Sequence, residues 1–253
     1  MLELLKILVC IPFLLYSCYS DIKTRRVSNT VWPVMLVAGL PFIIYDLLNY
    51  GFPYLIRMVF SFAFIFAFVY ILFQLNAFGG ADAKVMMVIS IIFPVFPVIH
   101  IFDQILPLQG IPLINLFAFS VFGNSVLLTI IVPIGLFLYN LAHVPIREMP
   151  KKLGYMFVGY KSKVSDLKDR HIRLMDVYER TDKGVVSHFT RGGTELDNDV
   201  VHELEGYVNK GLIDEKVWIT PGLPFMIPIT AGFITAVVFG DLIFYFTLKY
   251  LVM

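Results

Sequence analysis

The sequence predicts an all-α polytopic membrane protein with six transmembrane helices and a small cytoplasmic α/β domain inserted before the last helix. Three observations predict it. Of the 253 residues, 58% are hydrophobic and only 15% charged, where soluble domains carry roughly a quarter, and the mean hydropathy is +0.79. Six apolar runs reach or approach the roughly 20 residues that cross a bilayer core. One long polar stretch separates the fifth run from the sixth.

In chain order the runs are Leu4–Ser20, Thr30–Leu48, Pro53–Ala77, Val85–Phe102, Leu116–Asn140 and Leu223–Leu248. The first is not followed by a small-x-small cleavage site before Lys23-Thr24-Arg25-Arg26, so it is expected to be retained rather than removed as a secretory signal. It holds both cysteines, Cys10 and Cys18. Residues eight apart lie about 12 Å apart along a helix, too far for a disulfide, and two thiols cannot make a four-ligand zinc site. They read as packing residues. The runs assign residues 1–142 to five helices of a membrane domain and residues 220–253 to its sixth.

The polar stretch, residues 143–219, holds thirteen basic and thirteen acidic residues between Arg147 and Lys216. That balance argues against nucleic-acid binding, which calls for clustered basic charge. Alternation predicts a strand over His171–Glu179, a turn at Asp182-Lys183-Gly184 and a return strand over Val185–Thr190. Asp197 is placed to cap a helix that buries Val200, Val201, Leu204 and Val208 and ends at Gly211. Five acids, Glu195, Asp197, Asp199, Glu203 and Glu205, crowd this region. They could capture a basic peptide, but a solvated helix N-terminus favours acids for its own reasons. His100, His143, His171, His188 and His202 show no metal-ligand spacing.

Charge fixes an expected orientation. With the N-terminus outside, Lys23, Arg25, Arg26, Lys84 and the thirteen basic residues of the polar domain lie on the cytoplasmic side, seventeen in all. Only Lys6, Arg57 and Lys249 then lie outside, as the positive-inside rule prefers. An even number of helices returns the C-terminus outside.

Two carboxylates stand at the cytoplasmic edge in that arrangement. Asp21 closes the first run and Asp82 opens the fourth, in Gly79-Gly80-Ala81-Asp82-Ala83-Lys84. Carboxylates at membrane depth are costly, rare and usually functional, and a pair can share one proton and activate water. The bland reading of Asp82 alone is a helix N-cap. Glycines before it would supply φ > 0 for a tight bend. Opposed helix dipoles, each worth about 0.3–1 kcal/mol, put the charge on Asp82 and the proton on Asp21. Among other acids, Asp241 and the amide Asn124 read as hydrogen-bonding partners between helices, while Asp46 and Asp103 fall at the outer boundary and read as solvated. An ion-coupled transporter or channel relaying through Asp21, Asp82 and Asp241 is the competing function.

Asp21 followed by Lys23, Arg25, Val27, Ser28 and Asn29 resembles the first aspartate motif of type IV prepilin peptidases. Gly79-Gly80-Ala81-Asp82-Ala83-Lys84 is similar to their Gly-x-Gly-Asp-x-Lys motif, with Ala81 in place of the second glycine. The polar domain and Thr220-Pro221-Gly222-Leu223-Pro224-Phe225 resemble the archaeal branch, the preflagellin peptidases. The resemblance implies a six-helix aspartyl endopeptidase that removes short basic leader peptides from preflagellin- or prepilin-like precursors at the cytoplasmic face. Asp21 and Asp82 would be its catalytic pair, with no metal or organic cofactor. Bacterial relatives add a cysteine-rich zinc segment and a methyltransferase activity; with no cysteine cluster in this chain, peptidase activity alone is expected. Lys84, Arg25 and Arg26 read as anchors at the membrane edge.

Overall fold

The computed structural model describes residues 1–75, 77–101, 103–168, 172–181, 184–222 and 224–251, with the side chains of residues 191, 192 and 198 outside the description. His171, Asp182, Lys183 and Leu223 therefore lie outside the described residues. The chain divides into two compact units, Met1–Thr129 with Pro224–Met253, and Ile130–Leu223.

In the first unit, α1 (Leu2–Thr24) continues four residues beyond the apolar run and takes in Asp21. Then α2 (Val31–Gln74) spans 44 residues. A straight helix of that length would reach about 66 Å, more than twice the hydrocarbon core. It is interrupted at Gly51, whose φ of 63° and ψ of −149° are non-helical. Across that break the Tyr54 hydroxyl donates to Asp46 Oδ2 at 3.1 Å, a contact that the roughly 12 Å axial spacing of eight residues in a straight helix would deny. The two halves correspond to the runs Thr30–Leu48 and Pro53–Ala77.

The fourth run departs from expectation. Its helix, α3 (Gly80–Ile92), has 13 residues, about 20 Å by helical rise and short of a crossing. Pro94 and Pro97 follow within the next five residues, and proline can neither donate to a helix nor leave its predecessor comfortable there. The chain goes instead into a small hairpin, β1 (Ile99–Ile101) antiparallel to β2 (Gln104–Leu106). Next come α4 (Phe117–Thr129) and, opening the second unit, α5 (Ile131–His143). By length and composition the described residues hold three helices able to cross a membrane, Leu2–Thr24, Val31–Gln74 and Phe117–His143.

The second unit continues with α6 (Leu153–Val158), β3 (Tyr160–Lys163), β4 (Ile172–Thr181), β5 (Gly184–Glu195), α7 (Asn198–Asn209) and β6 (Lys216–Pro221). Its sheet has the order β3-β6-β4-β5, all antiparallel. The expected hairpin is present as β4 and β5, with Val177 opposite His188. Asp197 caps α7, its side chain accepting from the Val200 N–H at 2.9 Å, and Gly211 follows the helix with φ 68°. Val201 and Leu204 pack with Val164, Leu167, Leu174, Val217 and Ile219 into the core of this unit.

Chain and core return to the first unit in α8 (Met226–Val238) and α9 (Leu242–Leu251), which bend by 59° about a short break; taken as one span they make a fourth candidate crossing. At the break Gly240 has φ 94°, and the freed groups are re-satisfied from α4. Asn124 donates to the Gly240 carbonyl at 2.8 Å and accepts from the Leu242 N–H at 3.0 Å. Ser120 donates to Asp241 Oδ2 at 2.6 Å, and Asp241 Oδ1 accepts from the Phe244 N–H at 2.9 Å. Asn124 and Asp241 thus hold helices together, as the sequence suggested, and both oxygens of Asp241 are occupied. Gly232 lets α8 lie directly on α4, since a Cβ there would come within 2.2 Å of Ser125 Oγ.

Candidate active site

Asp21 sits in the last turn of α1, and its backbone carbonyl accepts from the Arg25 N–H at 3.0 Å. Arg25 ends the helix with φ 54°. It is the one non-glycine residue with positive φ among the described residues, in a position that glycine or asparagine usually takes. Such strained residues cluster at functional sites. Beyond it the loop is tied back, with Ser20 and Thr24 hydroxyls both donating to the Arg26 carbonyl.

The carboxylate of Asp21 faces the beginning of α8. Its Oδ2 accepts from the Met226 N–H at 3.3 Å, one of the donors that a helix N-terminus leaves unpaired. One turn earlier in α1, Cys18 Sγ reaches the Met226 carbonyl at 3.3 Å and Thr230 Oγ1 at 3.1 Å. Cys18 is therefore more than filler: it helps dock the end of α1 on α8. The C-terminal end of α1 is negative, but the positive end of the α8 dipole now stands against the same carboxylate. Reading each helix alone could not supply that term.

Asp82 is the third residue of α3, and its Oδ2 accepts from the Gly79 N–H at 3.1 Å. Gly79, not Asp82, occupies the N-cap. The expected φ > 0 is absent: Gly79 is extended, with φ −77° and ψ 157°, and neither it nor Gly80 has positive φ. What requires glycine is space. A Cβ on Gly79 would lie 2.9 Å from Asp82 Oδ2, whereas one on Gly80 would meet nothing closer than 4.0 Å. Ala81 in place of a motif glycine is accordingly easy to accommodate in a regular helical turn.

The two aspartates occupy one end of the first unit. Phe225, next to Met226, packs against Phe78 with ring centroids 5.3 Å apart, and Phe78 adjoins Gly79. Lys84 donates to Asn29 Oδ1 at 2.7 Å, so the start of α3 is also clasped to the loop that follows Asp21. Both carboxylates are half-buried. Asp82 precedes the apolar run; burial pushes its carboxyl up to about 6, the Gly79 N–H opposes the rise, and the charge of Asp21 adds to it. The direction is opposite to the helix-dipole expectation, because desolvation can move a pKa by units where a dipole moves it by less than one.

The remaining sequence candidates are placed differently. Asp46 is not solvated: it is 2% exposed and its Oδ2 accepts from Lys6 Nζ at 2.6 Å. Of the five acids near α7, Asp197 is the cap, Glu195 pairs with Arg173 at 2.9 Å and Glu205 with His202 at 3.3 Å, and Glu203 accepts from Tyr207. Glu195 thus bridges β5 to β4, Asp199 lies in the first turn of α7, and the other three make the local contacts of one helix, which leaves the capture idea without support.

Residues 151–242 match the model described as archaeal peptidase A24 C-terminus type II. Preflagellin peptidase from Methanococcus voltae is 29% identical over 231 residues, covering 90% of this chain and 92% of the relative. Those from Methanococcus maripaludis and Methanocaldococcus jannaschii are each 26% identical, over 94% and 90% of this chain and 96% and 91% of their own length. Residues 8–141, more than half of the chain, match the model of the type IV leader peptidase family, and the chain belongs to that family, a membrane protein of the aspartic protease kind.

Proposed function

We propose that this chain removes short basic leader peptides from preflagellin- or prepilin-like precursors, using Asp21 and Asp82 at the cytoplasmic face of the membrane. The observation that carries the reading is the pair of half-buried carboxylates at one end of the first unit, with the charge of Asp21 acting on Asp82. Preflagellin peptidases align with nearly the whole chain, which supports a precursor of that type as substrate.

In this reading Asp82 holds the shared proton and Asp21 is the base. A water bound between them loses a proton to Asp21 as its oxygen attacks the scissile carbonyl carbon. Asp82 gives its proton to the carbonyl oxygen as the tetrahedral diol forms. On collapse the diol returns a proton to Asp82, the C–N bond breaks, and the proton on Asp21 passes to the leaving amine. The pair ends as it began, and one water has been consumed. This is the division of labour that two carboxyl groups sharing a proton permit.

Six crossings are proposed for the chain, with both halves of α2 counted separately, the fourth begun by α3 and completed by the chain that follows Ile92, and both termini outside. The seventeen-to-three distribution of basic residues supports this orientation. A cysteine placed at Ser187 in a cysteine-free background is then shielded from an impermeant thiol reagent in intact cells, and one near Gly51 is labelled. The catalytic proposal is tested with purified protein and a leader-bearing precursor. Asp21→Asn and Asp82→Asn each abolish cleavage while expression and membrane insertion persist. Near wild-type cleavage by both variants would remove the pair from the mechanism.

A further inference from the structure

Two of the three basic residues assigned to the outer side, Lys6 and Arg57, come together in the first unit away from Asp21. Lys6 is fifteen residues before Asp21 in α1, about 22 Å along a helix and so near the other membrane surface. Its Nζ donates to Asp46 Oδ2 at 2.6 Å and to Glu3 Oε1 at 3.1 Å. Lys6 and Asp46 are each 2% exposed. These buried charges face a cavity of about 430 Å³, also walled by Tyr50, Tyr54 and Phe93. Arg57 lines that cavity and a second one, of about 360 Å³, whose other walls include Phe60, Val95, Leu113 and Leu116. Among the described residues Arg57 is in no ion pair, and its side chain is exposed.

We infer that the two cavities form one phospholipid site, with the phosphate on Arg57, the head group in the charged cavity and an acyl chain along the apolar one. The Lys6–Asp46 pair by itself would be explained as a lock between α1 and α2. That explanation leaves Arg57 and the second cavity without a purpose. A guanidinium presents a planar fork of donors suited to phosphate, and here it stands where a charged cavity meets an apolar one, the arrangement an amphiphile needs. Leu113 at the rim is 88% exposed, a surface that lipid would cover. Head-group choice follows from the remaining charges. Without Arg57, the charged cavity carries Glu3 and Asp46 against Lys6, a net charge of −1. It therefore favours a head group bearing an amine over one bearing a second negative charge, as opposite charge attracts and like charge repels at short range.

The test is native mass spectrometry of the full-length protein in detergent, titrated with phosphatidylethanolamine, phosphatidylglycerol or phosphatidic acid. Wild type retains one phosphatidylethanolamine in preference to the others. Arg57→Gln weakens that retention by about tenfold, the worth of roughly one charge-assisted contact, with melting temperature in lipid-free detergent and precursor cleavage unchanged. Glu3→Gln still binds but loses the preference for the amine. Retention by Arg57→Gln equal to wild type overturns the site, and an unaltered amine preference in Glu3→Gln overturns the head-group assignment. Soluble glycerophosphoethanolamine, which keeps the phosphodiester and the amine without acyl chains, supplies the second arm. If it displaces the lipid at equal concentration, the apolar cavity contributes nothing and the site is one for a free zwitterion, contrary to the inference.

Discussion

Asp46 and Asp241 on one side, and Asp21 and Asp82 on the other, show two ways of keeping a carboxylate in an apolar unit. Asp46 takes two side-chain donors on one oxygen, Lys6 at 2.6 Å and Tyr54 at 3.1 Å; Asp241 takes one donor on each, Ser120 at 2.6 Å and the Phe244 N–H at 2.9 Å. Asp21 and Asp82 each accept a single backbone hydrogen bond among the described residues, at 3.3 and 3.1 Å. A carboxylate that only holds structure is best held by more than one donor, since unpaired charge is costly away from water. One that must bind water and pass protons needs open lone pairs. The contrast separates scaffolding acids from candidate catalytic ones without reference to their position in the sequence.

The largest effect is expected among the acids with two partners. Lys6→Met leaves Asp46 buried without its cation and should destabilise the protein by about 3–5 kcal/mol, read as a fall in melting temperature in detergent. Lys6→Met with Asp46→Leu should recover much of the loss, and a single mutant that melts like wild type would show the pair to be idle. In the open set, Gly79→Ala forces its Cβ on the Asp82 carboxylate. A displacement of that kind can cost on the order of a hundredfold in rate. Gly80→Ala, with room for a methyl group, should cleave precursor at nearly the wild-type rate; equal losses from both would mean that space beside Asp82 is not the reason for glycine.

Ser120→Ala takes one partner from Asp241 and should cost about 1–3 kcal/mol of stability, with cleavage per folded molecule near wild type. The pH profile sharpens the other side. With the Asp82 carboxyl pushed up to about 6, the acid is protonated below that pH, and cleavage should decline as pH rises through it. The observed limb belongs to the pair rather than to one residue. Removing a like charge lowers a carboxyl pKa, so Asp21→Asn should move the infrared carboxyl signal of Asp82 to lower pH. No movement would mean that the two groups do not feel one another. The smallest effect is expected at Arg25, where glycine relieves an unfavourable left-handed conformation worth about 1 kcal/mol and should raise the melting temperature slightly.

Much of the first unit was legible because bilayer thickness sets how long an apolar run must be. The prolines at 94 and 97 mark the end of α3, a signal that hydropathy alone does not carry. Long-range partners were not legible. Nothing near Asp46 points to Lys6, forty residues earlier in the chain, so its place at a run boundary predicts a solvated residue. Gly79 shows a different limit: a glycine marks either a special φ or a close approach, and only coordinates separate the two. In the second unit, alternation marked β4 and β5 and cap chemistry marked α7. The short strand Tyr160–Lys163 gave no pattern, although Val217-Trp218-Ile219, buried in the sheet interior as part of β6, offered an apolar signal. Asp21 and Asp82 stand out in the sequence as candidates because each borders an apolar run, whereas the Met226 N–H and the Lys84–Asn29 clasp required the fold.

Asp21→Asn, Asp82→Asn, Asp46→Asn and Asp241→Asn, each measured for precursor cleavage per folded molecule and for melting temperature, test the division most directly. The first two should lose cleavage and keep their melting temperature, and the last two should melt lower, with Asp241→Asn still cutting precursor at close to the wild-type rate. Loss of cleavage by Asp241→Asn with Asp21→Asn or Asp82→Asn remaining active would contradict the account, placing the chemistry among the acids with two partners instead of the open pair.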